Sequence, residues 1–156
     1  MNYILADNQE LTCIALQSLL KDDEQNTVFH ATDKAGLMEL LREHEDAVVI
    51  LDYTLFDFID EEQLLIVSER FAMTTWVLLS DELTEQFLSK VVYSSHVFSV
   101  VFKDEPVKVL RDALHSISDG RRYLSQRATE KIIAHQQEEV KTTVLTSTEM
   151  AILSAV

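Results

Sequence analysis

The sequence predicts an α/β fold built on a doubly wound parallel sheet, and two observations carry that prediction. Apolar, strand-like runs alternate with segments of helical period throughout the first 118 residues. Three of those runs also stop at a polar residue capable of chemistry: Tyr3-Ile4-Leu5-Ala6 at Asp7, Val48-Val49-Ile50-Leu51 at Asp52, and Val97 to Phe102 at Lys103. In an open parallel sheet all three ends share one edge, the carboxyl edge at which such sheets bind ligands.

Five strand-helix pairs follow in order. The first strand, 2–6, leads to a helix near 9–21 whose Leu11, Ile14, Ala15 and Leu19 have the spacing of one buried face. A weaker strand over 26–31 precedes a helix near 33–44, capped by Asp33, with Leu37, Leu40 and Leu41 turned inward. The third strand spans 47–51 and is followed by an irregular segment, 53–59, and a helix near 60–70. Strand 75–79, helix 82–92 and strand 97–102 come next. The last helix of the compact domain opens at Pro106, sets Val107, Leu110, Ala113, Leu114 and Ile117 on an apolar stripe, and stops at Asp119-Gly120. Residues 1–120 are thus expected to form the domain.

Residues 121–144 read as a helical linker, because Ala128, Ile132 and Ile133 are sparse apolar points better suited to a connector than to a core. Thr146 and Glu149 have capping-box spacing ahead of an apolar run, so a new helix is expected there. Residues 145–156 therefore read as the start of a further domain cut short.

The chain has 156 residues, enough for one well-packed core but not for two full-sized ones. No apolar stretch approaches the length of a membrane span, no export signal is visible, and Cys13 is the single cysteine; the expectation is a reducing cytoplasm. The net charge of -14 is unevenly placed: residues 1–102 hold 19 acidic against 5 basic side chains, whereas residues 103–156 hold 8 of each. The first part repels nucleic acid. Arg121, Arg122, Arg127 and Lys131 give the tail a different surface, which fits a solvated face better than a phosphate grip.

Two carboxylates and an ammonium at one sheet edge suit a hard divalent ion such as Mg²⁺, beside which a carboxylate can attack a phosphoryl group. Ser80, ending Trp76-Val77-Leu78-Leu79, adds a hydroxyl at the same edge. Taken singly, each of these residues also fits a helix cap, a turn or a surface ion pair. Four coincident strand ends in this order favour a site. Trp76, the phenylalanines and Cys13 are explained by packing, and His30, His44, His96, His115 and His135 lack metal-ligand spacing.

These segments resemble the receiver domain of bacterial two-component response regulators of the NarL/LuxR type, whose output is a helix-turn-helix domain. The resemblance rests on Ile4-Leu5-Ala6-Asp7-Asn8, Val49-Ile50-Leu51-Asp52, Leu78-Leu79-Ser80 and Val101-Phe102-Lys103-Asp104-Glu105-Pro106. Gly120 to Ser125 is similar to the family's linker, and Leu145 to Glu149 to the opening of its DNA-binding domain. The resemblance implies a flavodoxin-like (βα)5 sheet of order 2-1-3-4-5. It implies that Asp52 accepts a phosphoryl group from a sensor histidine kinase, while Asp7, Asn8, Asp52 and the Thr54 backbone carbonyl hold Mg²⁺. Ser80 and Lys103 would then bind the phosphoryl oxygens, and the chain would act as a homodimer that meets DNA only through its C-terminal domain. No enzymatic turnover beyond self-catalysed phosphotransfer and dephosphorylation is implied.

Four positions depart from the family pattern. Asn8 stands where a second acid usually ligates the metal, so metal binding should be weak. Asp81 follows Ser80 where a small residue is usual, Phe56 replaces a common proline, and Val100 occupies the place of an aromatic switch residue. These changes leave room for a degenerate receiver that signals by protein contacts without phosphorylation. Ile50-Leu51-Asp52-Tyr53-Thr54-Leu55-Phe56-Asp57 is also similar to the first motif of haloacid-dehalogenase-type phosphatases. Those enzymes place the nucleophile two residues before the acid/base aspartate, and here that position is Ile50.

Overall fold

The computed structural model describes the backbone of residues 1–154 and the side chains of residues 1–140. Five parallel strands form one sheet in the order β2-β1-β3-β4-β5. They are β1 (Asn2–Ala6), β2 (Thr27–Ala31), β3 (Val48–Leu51), β4 (Thr75–Ser80) and β5 (Phe98–Phe102). The strands from β3 onward are buried at every residue except Thr75, as continuous apolar runs covered on both faces should be. The helices are α1 (Glu10–Lys21), α2 (Lys34–Glu43), α3 (Glu61–Arg70), α4 (Glu85–Ser94), α5 (Val107–Ser118) and α6 (Gln126–Ser154). Tyr53–Leu55 form a short 3-10 turn inside the segment read as irregular.

Alternation along each strand divides the core in two. Tyr3, Leu5, Val48, Ile50, Val77, Leu79 and Val101 face α1 and α5. Ile4, Ala6, Val49, Leu51, Trp76, Leu78, Phe98, Val100 and Phe102 face the opposite layer of α2, α3, α4 and α6. Asp33 caps α2 by accepting from the Gly36 N–H, and Thr84 caps α4, which therefore starts three residues later than the sequence pattern suggests. Gly120 has φ 76, the left-handed conformation that ends α5, and the Arg121 N–H closes back on the Ser116 carbonyl at 2.8 Å.

Three expectations are corrected. The buried face of α1 is Cys13, Leu16 and Leu20, while Leu11 and Ile14 are 75% and 57% exposed and Ala15 faces solvent. Both sets have helical spacing, and the sheet selects the one that meets Leu5 and Ile50. The connector is corrected as well. Leu124 forms a parallel bridge with Val100 at the edge of β5, and Ala128 and Ile132 are buried in the larger core cluster. The first turns of α6 thus pack along α4 and belong to the core. No helix start occurs at Thr146, since α6 runs unbroken to Ser154, and the side chains of 145–156, read as a further domain, lie outside the described residues. Among the described residues no helix is long and apolar enough to cross a membrane.

Candidate functional site

Pairing of β1 with β3 and of β4 with β5 brings Asp7, Asp52, Ser80 and Lys103 to the same carboxyl edge. Ala6 lies opposite Leu51, and Ser80 opposite Phe102, so each functional residue ends its strand or directly follows it. The Asp52 N–H donates to the Ala6 carbonyl at 3.0 Å, and the Lys103 N–H to the Ser80 carbonyl at 2.9 Å. The backbone ladder therefore extends one residue past the strands and fixes where the side chains leave. β1 lies between β2 and β3, which puts the site at the point where strand order reverses.

Asp7, Asp52 and Ser80 are buried to within 1% of full enclosure. The Lys103 ammonium sits between the two acids, 2.6 Å from Asp52 Oδ2 and 3.0 Å from Asp7 Oδ2. It also donates to Gln9 Oε1 at 2.9 Å. Asp52 Oδ1 accepts three hydrogen bonds: from the Thr54 N–H at 3.0 Å, the Thr54 hydroxyl at 2.7 Å and the Ser80 hydroxyl at 2.9 Å. Asp7 Oδ1 accepts from the Gln9 N–H at 2.8 Å.

These contacts settle the charges. Burial pushes the Asp52 carboxyl up, but hydrogen bonds from Lys103, Thr54 and Ser80, with the Lys103 charge, hold it below the usual carboxylate range. For Lys103, burial pushes down while Asp52 and Asp7 push up, and the two acids prevail. Asp52 is thus a carboxylate and Lys103 an ammonium at neutral pH. Beneath them the Cys13 thiol donates to the Asp7 carbonyl at 3.2 Å; burial and then Asp7 push that thiol up, so it is held as a thiol.

The positions marked as departures lie around this centre. Asn8 is exposed, and its amide donates to the Leu55 carbonyl at 2.7 Å, tying the loop after β1 to the loop after β3. Asp81 faces solvent beyond Ser80. Phe56 is buried beside Phe58, and Val100 is fully enclosed in the sheet. Gln9 and the Thr54 hydroxyl were not singled out by sequence reasoning. Among the described residues no cluster of three or more His, Cys, Asp or Glu side chains is placed to hold a metal ion.

No family model and no curated protein matches the sequence. Solved structures match the fold. RcsB response regulator from Salmonella typhimurium superposes with a TM-score of 0.74 over 85% of this chain and 65% of that one, at 19% identity. The isolated receiver domain of RcsB, with the phosphomimetic BeF3-, gives 0.72 over 84% and 97%, at 18% identity. A LuxR-family two-component response regulator from Aurantimonas sp. SI85-9A1 gives 0.73 over 86% and 96%, at 20% identity. The chain spans about two-thirds of the length of the longer RcsB chains and nearly the whole of an isolated receiver domain. The fold is therefore the flavodoxin-like fold of response-regulator receiver domains.

Proposed function

We propose that this chain is the receiver of a two-component response regulator and takes a phosphoryl group on Asp52 from a sensor histidine kinase. The observation that carries the reading is one buried pocket in which a carboxylate, an ammonium and a hydroxyl converge at the switch point of the sheet. Asp52 is ionised and nucleophilic. One of its oxygens attacks phosphorus, an O–P bond forms, and the P–N bond to the donor imidazole breaks with its electron pair left on the ring. Lys103 and Ser80 then exchange Asp52 for the phosphoryl oxygens, where their donors offset added negative charge.

The pocket suits a hard divalent cation such as Mg²⁺. Asp7 Oδ2 and Asp52 Oδ2 are buried and, apart from the Lys103 ammonium, have no partner. Asp7, Asp52 and the Thr54 backbone carbonyl would hold the ion, and Asn8 would add a neutral oxygen where a third carboxylate would bind more tightly. When bound, Mg²⁺ supplies positive charge to the transferring oxygens. Incubation with Mg²⁺ and acetyl phosphate should give a one-phosphate mass increment that Asp52→Asn abolishes. No increment at saturating donor would sink this reading.

A second reading, a receiver that signals without phosphorylation, is favoured by the Asn8 amide. Its bond to the Leu55 carbonyl joins, without a cation, two loops that a metal would otherwise bridge. No turnover of aryl phosphates is expected under either reading, because Ile50 stands fully buried where a phosphatase of the haloacid-dehalogenase type needs its nucleophile. RcsB has been seen as dimers on DNA. By analogy we assign this chain a cytoplasmic regulator that forms a homodimer and contacts DNA only through a domain following α6. Solution mass with and without BeF3- tests the dimer.

A further inference from the structure

The first turns of α6 reach both loops that leave the acid pocket. Lys131 donates to the Leu83 carbonyl at 3.1 Å, three residues past Ser80. Arg127 pairs with Asp104, the neighbour of Lys103, and its guanidinium lies 4.5 Å from the centroid of the Phe102 ring. The Lys131 ammonium lies 5.2 Å from the same ring, so both cations grip the residue that precedes Lys103. The Ser125 hydroxyl donates to Glu105 at 2.7 Å. The backbone is stitched too: the Val100 N–H donates to the Tyr123 carbonyl and the Ser125 N–H to the Val100 carbonyl, each at 3.0 Å. Both backbone groups of Val100 are thus bonded to the tail.

We propose that Arg127 and Lys131 are positioning residues for the loops bearing Ser80 and Lys103, so that occupancy of the acid pocket and docking of α6 oppose each other. The identity of the occupant rests on the phosphoryl-acceptor reading; the coupling does not. The Ser80 hydroxyl and the Lys103 ammonium are both drawn onto Asp52. An anion bound at Asp52 draws both donors toward itself, and the loops behind them move. The Leu83 carbonyl and the Asp104 carboxylate then shift under α6, and a charge-assisted bond or ring contact weakens steeply with such displacement. Linkage makes the effect reciprocal: whatever loosens α6 must tighten anion binding by the same factor.

The test uses the full chain with Mg²⁺ and BeF3-, binding being read by fluorine resonance and docking by amide hydrogen exchange of residues 126–136. Binding should speed exchange there by about fivefold or more, at the low end of typical coupling between sites. The double variant Arg127→Gln, Lys131→Gln should tighten BeF3- binding by a similar factor. If BeF3- binds while exchange in α6 is unchanged or slowed, the coupling is overturned and the phosphoryl-acceptor reading stands. If BeF3- does not bind at all, that reading falls, and a double-mutant cycle of Lys131→Gln with Asp52→Asn decides the coupling. Non-additive unfolding constants, again by about fivefold, support it, and additive ones overturn it, since residues without shared partners act independently.

Discussion

Lys103 is the residue on which the pocket depends, because its ammonium is the shared partner of two buried carboxylate oxygens. Removing it leaves both uncompensated, so Lys103→Met should cost about 3–5 kcal/mol in urea unfolding at pH 7. A loss under about 1 kcal/mol would contradict the ion-pair geometry. The pH dependence follows from the two shifts. Asp52 is lowered in the folded state, so its contribution is present above the ordinary carboxylate value of 3.8 and is lost as pH falls through the folded value. Lys103 is raised, so its contribution is complete below 10.5 and is lost as pH rises through the folded value. Urea midpoints should therefore fall at both extremes, and Asp52→Asn should flatten the acid limb attributable to that carboxylate. At this scale Asp7, Asp52, Ser80 and Lys103 were legible because each ends an apolar run. Gln9, the Thr54 hydroxyl and the bond from Asn8 to the Leu55 carbonyl were not, because such partners depend on how turns fold back, which periodicity does not encode.

The helices show why spacing alone names a face only up to an alternative. In α1 two stripes satisfy the same three-four rule, and Leu16 is fully buried while Ile14 is exposed. Leu16→Ala should cost about 2–5 kcal/mol, whereas Ile14→Ser should stay within about 0.5 kcal/mol, both read from urea midpoints. The reverse order would restore the face suggested by the sequence. In α6 the misleading cue was sparsity. Ala128 and Ile132 are few, but they are four apart and belong to the same buried cluster as Phe102 and Leu83, while the neighbouring Arg127 and Lys131 lie over the Phe102 ring. Ile132→Ala should cost about 2–4 kcal/mol, a loss that a solvated linker helix would not register. Arg122 carries the same lesson, since its guanidinium donates to the Phe98 and Val92 carbonyls at 2.8 Å instead of lying free in water.

Across the whole molecule, alternation of strands and helices made the sheet legible, since continuous apolar runs fit only strands covered on both faces. Charge was equally legible and has its own consequence. The 19 acidic side chains of residues 1–102 face only 5 basic ones, and most lie on helices and loops around a neutral core. Their mutual repulsion is long-range and screened by salt, with a Debye length of about 10 Å at 0.1 M. Among the described residues the exposed Lys and Arg pairs that salt weakens, Lys90 with Glu61 and Glu62, Arg121 with Asp119, and Arg127 with Asp104, are fewer than the excess acids. The Lys103 pairs are enclosed and screened far less. Repulsion should therefore dominate the response, and the urea midpoint should rise as sodium chloride increases from about 0.02 M to about 0.3 M. A midpoint that falls over that range would mean that surface ion pairs, rather than the excess of acids, govern the electrostatics of the folded chain.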